Sequence, residues 1–247
     1  MSKSMLTKKT FMPILGLLSG LLMSSMSHAD IVISGTRVIY PSEQQNVTIK
    51  LENRGEKPLL VQSWLDDGRE NVNPQELNIP FLVTPPVSRI EPSKGQTIKV
   101  TYLGNALPQN KESIFWFNVL EIPPKANNAA DQNLLQLAFR TRIKLFYRPE
   151  GLKGNPADAA KTLTWKAKAD GKNVYVEVNN PSLFHVSFSS ASLLNGKSKY
   201  AIETAMLKPG ENQSFKVQGL SSMPTGAKIE YDVINDFGGS IKNEIQL

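Results

Sequence analysis

The sequence predicts an all-β protein built from two immunoglobulin-like sandwiches. Short runs rich in Val, Ile, Thr and aromatic residues recur between turn residues, and no amphipathic helix of useful length interrupts them. The turn residues are typical of hairpins and bends, as in Asp170-Gly171, Asn195-Gly196 and Lys208-Pro209-Gly210. The strands fall into two sets of six or seven, each spanning about 100 residues, which is the size of one such sandwich.

The two sets of predicted strands are separated by a segment whose periodicity is broken. Pro149, Gly151, Gly154 and Pro156 interrupt the pattern there, so we predict domains at 30–149 and 161–247, joined by a linker at 150–160. The predicted strands are Ile31–Ile39, Val47–Leu51, Leu59–Trp64, Thr97–Tyr102, Ile114–Leu120 and Leu134–Tyr147 in the first set, and Thr162–Ala169, Val174–Val178, Val186–Leu193, Tyr200–Leu207, Gln213–Val217, Ile229–Ile234 and Ile241–Ile245 in the second.

The first 29 residues read as a cleavable secretory signal peptide. Three lysines precede an apolar run, Phe11–Met23, and small residues follow it, so we place cleavage after Ala29 and expect an exported mature protein. The alternative is a retained membrane anchor. The apolar run is shorter than the roughly 20 residues that span a bilayer, and it contains Pro13, Gly16 and Gly20.

Composition excludes several classes of protein. With 16 Gly, 16 Pro and no Cys, the chain is neither collagen-like nor stapled by disulfides. The net formal charge is +6, but residues 30–247 carry 25 basic and 22 acidic side chains, a charge of +3. So small a surplus argues against a nucleic-acid partner. His185 is the sole histidine after the leader, so His-based metal sites and catalysis are disfavoured.

One predicted strand, Leu134–Tyr147, is longer than the usual 5–6 residues. Its side chains alternate between two faces, so the second half can bury one face in its own domain while the first half extends beyond it. Two interpretations fit: a core strand with a long tail, or an apolar edge left open for a partner. The apolar side chains of the first half are Leu135, Leu137 and Phe139.

Five segments match, in order, the motifs of a known family. Because they span nearly the whole chain after the leader, the chain resembles the periplasmic pilus chaperones, the PapD-like family. The segments are Gly35–Pro41 (GTRVIYP), the turn Thr84-Pro85-Pro86, Leu107–Pro124 (LPQNKESIFWFNVLEIPP), Lys144–Pro149 (KLFYRP) and Ile234–Gly239 (INDFGG).

The resemblance implies an ATP-independent periplasmic chaperone that binds, folds and caps pilus subunits and delivers them to an outer-membrane usher. The two sandwiches are expected to form an L with the binding cleft between them. A subunit is a sandwich that lacks its last strand, and the chaperone lends its long strand, here Leu134–Tyr147, by donor-strand complementation. The resemblance implies no cofactor, no metal, no nucleic acid and no stable membrane insertion, and it implies that the free chaperone can cap itself as a homodimer.

The resemblance also assigns the subunit-binding residues by motif position. Arg37 and Lys144 are expected to hold the subunit's C-terminal carboxylate and thereby to fix the register of the donated strand. Leu135, Leu137 and Phe139 are expected to fill the groove of the subunit.

Three charged residues match family positions with a structural role. Glu112, Arg148 and Asp236 are expected to form an ion-pair network across the two domains that maintains their relative orientation. Only Pro123–Asn133 separates the donor strand from the strand before it, and the sequence contains no cysteine pair. The chain therefore resembles the short-loop subclass of the family, which serves rod-like pili with tip adhesins.

Two other functional classes fit the sequence less well. An enzyme is disfavoured because a Ser-His-Asp triad depends on His185 and no Gly-x-Ser-x-Gly elbow is present, while Asp66, Asp67 and Glu70 read more simply as a solvated loop than as a cation site. The remaining alternative is a non-catalytic immunoglobulin-like surface subunit or adhesin. Such a subunit is expected to be a single incomplete sandwich, whereas this sequence predicts two.

Overall fold

The computed structural model describes residues 30–104, 107–124 and 137–247. The predicted leader with its cleavage site after Ala29, and the predicted groove residue Leu135, lie outside these ranges. The strands are, in chain order, β1 Ile31–Ile33, β2 Arg37–Pro41, β3 Asn46–Asn53, β4 Leu59–Asp66, β5 Phe81–Thr84, β6 Val87–Ile90, β7 Gly95–Tyr102, β8 Ser113–Ile122, β9 Phe139–Arg148, β10 Thr164–Asp170, β11 Asn173–Asn179, β12 Phe188–Asn195, β13 Ser198–Ala201, β14 Asn212–Val217, β15 Lys228–Ile234 and β16 Ser240–Gln246.

Helical structure in these ranges is short. It consists of the helix α1, Pro156–Ala159, and two 3₁₀ turns, Pro74–Glu76 and Ala160–Thr162. Asn155 caps α1 because its Oδ1 accepts a hydrogen bond from the backbone N–H of Ala157 at 2.9 Å. None of the helices within the described ranges has both the length and the apolar character needed to cross a membrane.

The first sandwich consists of a four-stranded sheet in the order β1-β3-β7-β5 and a five-stranded sheet in the order β2-β9-β8-β4-β6. The inward faces of the two sheets bury one apolar core, in which Tyr40, Val61, Ile98, Phe117 and Leu145 are essentially inaccessible to solvent. The second sandwich consists of the sheets β10-β11-β14 and β13-β12-β15-β16, and it has a separate core of its own. The predicted all-β fold with two immunoglobulin-like sandwiches is therefore confirmed.

The start of the chain corrects one predicted strand. The run Ile31–Ile39 was expected to be a single strand, but it forms β1 in one sheet and the first part of β2 in the other. The chain crosses between the sheets at Ser34–Thr36, where Gly35 adopts φ +108°. This crossing allows β2 to pair in parallel with β9, which a straight strand confined to one sheet could not do.

Two further differences concern strand ends. The strands β5 and β6 were not predicted, because each has only four residues and they are separated by the Pro85-Pro86 turn. The donor strand was predicted from Leu134, but β9 begins at Phe139; residues 134–136 are not described, and Leu137 and Ala138 have no strand pairing.

The second sandwich contains a similar crossing. The predicted strand Tyr200–Leu207 is regular only as β13, after which Ile202 pairs with Val217 of the opposite sheet and Leu207 pairs with Val186. Ala159 and Ala160, from the end of the predicted linker, are buried in the second core. The exact domain boundaries stay a prediction.

Candidate functional site

Two cations lie side by side where β2 and β9 begin to pair. Arg37 is the register partner of Lys144 in this parallel pair, so both side chains leave the same face of the sheet from strands about 4.8 Å apart. Arg37 Nη1 donates a hydrogen bond to the carbonyl oxygen of Ile234 at 2.8 Å, and Lys144 Nζ donates one to Ser187 Oγ at 3.3 Å. Since Ile234 and Ser187 belong to the second sandwich, the cation pair lies at the junction of the two sandwiches.

Among the described residues, no carboxylate neutralises the cation pair. Within the described ranges neither side chain has a carboxylate at ion-pair distance, and Arg37 Nε is buried without a hydrogen-bond partner. Burial lowers the pKa of Lys144, and the positive charge of Arg37 lowers it further. Burial also lowers the pKa of Arg37, against the attraction of the more distant Asp236 and Glu112. An anion bound between the two cations is therefore favoured electrostatically.

The half of β9 before Lys144 is an open sheet edge. On one side β9 pairs with β8 from Glu121 opposite Phe139 to Ser113 opposite Tyr147. On its other side β2 pairs only with Lys144–Arg148. Among the described residues, no strand covers the outer edge of Phe139–Ile143, so this edge can accept another strand.

The apolar side chains of β9 change from buried to exposed along this edge. Tyr147 and Leu145 are buried in the first core, and Ile143 packs partly against it. Phe139, on the same side of the strand, is 51% exposed, and Leu137 just before the strand is 56% exposed. The edge therefore presents large apolar groups that the described part of its own sandwich leaves exposed, as the second of the two interpretations of the long strand requires.

The predicted ionic residues Glu112, Arg148 and Asp236 are brought together at the junction. Arg148 Nε donates to Glu112 Oε1 at 3.0 Å, while its Nη1 and Nη2 donate to the two oxygens of Asp236 at 2.7 and 3.0 Å. Glu112 is buried, and its Oε2 also accepts a hydrogen bond from the backbone N–H of His185 at 2.8 Å and contacts His185 Nδ1 at 2.9 Å. One arginine thus joins a carboxylate of each sandwich.

A second charged cluster lies on the outward face of β9 and was not predicted. Asp66, at the end of β4, is fully buried and receives a bidentate contact from Arg142 and a hydrogen bond from Asn118 Nδ2 at 2.8 Å. Arg140 donates to Asn118 Oδ1 at 2.9 Å and to the carbonyl oxygen of Glu70 at 2.7 Å. We call these five residues the Asp66 cluster. It ties the open half of β9 to β8 and β4.

Aromatic rings lie beneath the arginines of the Asp66 cluster. The guanidinium of Arg142 lies 4.6 Å from the ring centroid of Trp116, and that of Arg140 lies 5.0 Å from Trp64. The alternation of Arg140 and Arg142 was visible in the sequence, but their partner Asp66 was read as part of a solvated loop. That reading was wrong for Asp66, because the end of β4 lies directly beside β8 and β9. No group of acidic and histidine residues suited to a metal ion occurs within the described ranges.

Two sandwiches are joined by an ionic network, and an apolar open strand edge leads to a half-buried cation pair, an arrangement typical of proteins that recognise a partner by strand pairing. The pili and flagellar-assembly chaperone family, PapD N-terminal domain, matches residues 30–153, and the pili assembly chaperone PapD C-terminal domain matches residues 158–245. The chain belongs to this family of pilus-assembly chaperones.

Individual relatives agree with this assignment. The chain is 52% identical to the probable fimbrial chaperone YadV of Escherichia coli K12, over 91% of this chain and 92% of that protein. It is 41% identical to the chaperone protein FimB/FhaD of Bordetella pertussis, over 86% of each chain. The prediction of a pilus chaperone is confirmed over the alternative of a surface subunit or adhesin, and the prediction that the protein is not an enzyme is confirmed by its family.

Solved structures show the same architecture. The crystal structure of the YadV chaperone superposes with a TM-score of 0.79 at 49% identity, covering 89% of this chain and all of that one. The SafB chaperone of Salmonella enterica, solved in complex with the SafA pilin, superposes with a TM-score of 0.72 at 26% identity, covering 88% of this chain and 96% of that one.

Replacement of Arg148 tests how much the ionic network contributes to the free energy of unfolding. We expect Arg148→Met to lower the free energy of unfolding by roughly 3–5 kcal/mol, because the buried Glu112 loses its compensating charge. Urea unfolding followed by tryptophan fluorescence measures this change. The control is Arg54→Met, which removes an exposed ion pair with Glu52 and is expected to stay within about 1 kcal/mol of wild type. Equal effects of the two substitutions would contradict a stabilising role for the ionic network.

The buried carboxylate of the Asp66 cluster predicts that the stability of the fold depends on pH. Burial opposes ionisation of Asp66, but the hydrogen bonds from Arg142, Asn118 and the backbone of Gly68 outweigh it and lower its pKa. A carboxylate whose pKa is lower in the folded state stabilises the fold above about pH 4, and this contribution is lost as the pH falls through the folded-state pKa.

We therefore expect Asp66→Asn to destabilise the protein by roughly 3 kcal/mol at pH 7 and by progressively less below pH 4. The measurement is urea unfolding at a series of pH values, with Asp170→Asn, an exposed turn carboxylate, as the control. A difference between wild type and Asp66→Asn that does not change with pH would argue against an ionised, hydrogen-bonded Asp66.

Proposed function

We propose that the protein caps incomplete pilus subunits by adding the open half of β9 to their sheets, with Arg37 and Lys144 binding the subunit's C-terminal carboxylate. The observation that carries this proposal is the half-buried cation pair, which has no carboxylate partner among the described residues and lies where the outer edge of β9 changes from open to paired with β2. The match to SafB, which was solved in complex with a pilin, supports a subunit as the partner.

The carboxylate contact sets the register of the added strand. An alternating apolar strand fits its groove nearly as well after a slip of two residues, so apolar contacts alone do not define one alignment. A chain end held between Arg37 and Lys144 defines it, because a carboxylate accepts charge-assisted hydrogen bonds from both groups. Phe139 lies five residues before Lys144, about 17 Å along an extended strand, so the groove contacts follow at a fixed distance from the anchor.

The added strand supplies both backbone and side-chain partners to the subunit. Each buried backbone group that would otherwise remain unpaired costs about 1–3 kcal/mol, and the open edge of β9 can pair such groups. Leu137 and Phe139, and Leu135 outside the described residues, are proposed to fill the groove, at roughly 1.5–3 kcal/mol for each fully buried large side chain. Covering this apolar groove is the means by which the chaperone prevents aggregation of the subunit.

The network of Glu112, Arg148 and Asp236 is proposed to have a structural role. Arg148 immediately follows the buried part of β9, and its two carboxylate partners come from different sandwiches. The network therefore supports a fixed relative orientation of the sandwiches, and with it the position of Ile234 and Ser187 beside the cation pair.

The cellular setting follows from the family and the leader. The family acts in the periplasm, and we propose that the chain reaches it by a signal peptide cut after Ala29. We further propose that the loaded chaperone delivers subunits to an outer-membrane usher, and that the open edge of the free protein caps itself in a homodimer. The short segment between Pro123 and Asn133 and the absence of cysteine support membership of the short-loop subclass.

Loss of one cation tests the carboxylate anchor. We expect Lys144→Ala and Arg37→Ala each to fold normally, since neither removes an ion pair within the described ranges, but to reduce subunit capture at least tenfold. The measurement is a periplasmic pull-down of the tagged protein from its own strain, with the co-eluting subunits quantified by mass spectrometry.

The matched control for the anchor is Lys99→Ala, an exposed lysine of β7. Equal subunit recovery with wild type, the control and both anchor variants would rule out the anchor, although not the chaperone role. No co-eluting subunit with wild-type protein, in cells that express the fibre, would count against subunit capping itself.

A charge in the groove tests strand donation. We expect Leu137→Glu to weaken subunit binding at least tenfold, because the buried carboxylate would have to lose its hydration inside an apolar groove. The readout is the fraction of subunit that remains unaggregated in the presence of purified chaperone. The control is Leu82→Glu on β5, because Leu82 is 53% exposed, similar to Leu137. Subunit protection by Leu137→Glu equal to that by Leu82→Glu would exclude Leu137 from the groove contact.

A further inference from the structure

A buried carboxylate that pairs with no cation of the described residues lies at the end of β8, opposite the start of β9. Glu121 is 3% exposed, and it is the register partner of Phe139. Its Oε2 accepts a long hydrogen bond of 3.4 Å from the backbone N–H of Ile31, while its Oε1 is buried and has no hydrogen-bond partner among the described residues. A buried carboxylate normally has its lone pairs satisfied or pairs with a cation, so this arrangement needs an explanation.

The electrostatic surroundings of Glu121 leave it short of positive charge. Burial raises the pKa of Glu121, and the carboxylate of Asp30 raises it further, whereas the backbone N–H groups of Ile31 and Asp30 lower it. The guanidinium of Arg54, whose backbone N–H donates to Asp30, is instead bound to Glu52 at 3.0 Å. No Lys or Arg side chain of the described residues forms an ion pair with Glu121.

The segment that begins at Asp30 is held firmly beside Glu121. The carbonyl oxygen of Asp30 accepts a hydrogen bond from the backbone N–H of Arg54 at 2.7 Å, and Ile31 is buried and pairs with Asn53. The carboxylate of Asp30 lies so close to Gly55 that a Cβ on this glycine would meet its Cγ at 2.5 Å. The backbone nitrogen of Asp30 is therefore fixed one residue from the N–H that already donates to Glu121.

We propose that Glu121 is the binding site for the α-amino group that leader cleavage creates on Asp30. Cleavage hydrolyses the Ala29–Asp30 peptide bond: water supplies a hydroxyl to the carbonyl carbon of Ala29 and a hydrogen to the nitrogen of Asp30, and the new amine takes a further proton from solvent. The resulting ammonium group carries the charge that Glu121 lacks and offers donors for its unpartnered Oε1. This inference rests on the cleavage site proposed above.

The pair links the stability of the first sandwich to processing of the chain. In the uncleaved chain the nitrogen of Asp30 is a neutral amide with one N–H, so it cannot compensate the buried charge. After cleavage the ammonium and Glu121 connect β1 to the end of β8, directly opposite the first residue of the open strand edge. The fully stabilised sandwich, with its strand edge ready for a subunit, is therefore a property of the processed protein.

Titration of the α-amino group tests the pair directly. The protein is purified from the periplasm, its intact mass shows whether it begins at Asp30, and its amine is labelled by reductive ¹³C-methylation and titrated by NMR. We expect the pKa of this amine to lie at least about one unit above its ordinary range of about 7.7–8.0, because the adjacent carboxylate favours the charged form. Glu121→Gln should return it to that range, whereas Glu52→Gln, on the neighbouring strand, should leave it raised.

A second measurement uses stability. Because the pKa of the amine is higher in the folded state, its contribution is present below about pH 8 and is lost as the pH rises through the raised pKa. An extra alanine before Asp30 should lower the urea midpoint of the wild type at pH 7 but leave that of Glu121→Gln unchanged. An ordinary amine pKa, strictly additive effects of the extension and Glu121→Gln, or a mature chain that begins elsewhere would each overturn the proposal. Subunit pull-down is measured separately, so failure of the pair is distinguishable from failure of subunit capping.

Discussion

The parallel pairing of β2 with β9 is the constraint on which the binding surface depends. It begins at Arg37 and Lys144, so the first pair of residues in register is also the cation pair. Within the part of the chain that the structure describes, the same starting point leaves Phe139–Ile143 without a neighbouring strand on one side. If β1 continued into β2 without changing sheets, β9 would lack its parallel neighbour and Arg37 would lie in the opposite sheet. A single crossing at Gly35 thus determines both the position of the cation pair and the length of the open edge.

The outward face of β9 is charged and the inward face is apolar. On the outward face the Asp66 cluster holds Arg140 and Arg142 against β8 and β4. On the inward face the side chains pass from the core to solvent. Because the Asp66 cluster already orders the open half of β9, less conformational entropy would be lost if another strand paired with its open edge. The paired arginines also place charge next to an exposed apolar edge, which is a common means of limiting unwanted association.

The sequence allowed prediction of the elements whose signals are local. Alternation and turn residues identified most strands, and the family motifs located Arg37, Lys144 and the three ionic residues that the structure brings together. The crossing at Gly35 was not predictable, because the alternating pattern of Ile31–Ile39 is the same whether the strand stays in one sheet or changes sheets. Asp66 and Glu121 were also missed as buried charges, since burial of a carboxylate at a strand end depends on the neighbouring strands and not on its own segment.

The cation pair explains why a chain end would be preferred to an internal segment. Partial burial lowers the pKa of Lys144, and the like charge of the neighbouring Arg37 lowers it further. An extended segment from the middle of a chain can satisfy the backbone edge of β9 but brings no charge to this site. A segment that ends in a terminal carboxylate can pair with the same edge, and its negative charge also offsets the repulsion between Arg37 and Lys144. Under the proposed function, the repulsion between the two cations would therefore favour a partner whose C-terminal carboxylate lies at the junction of the two sandwiches.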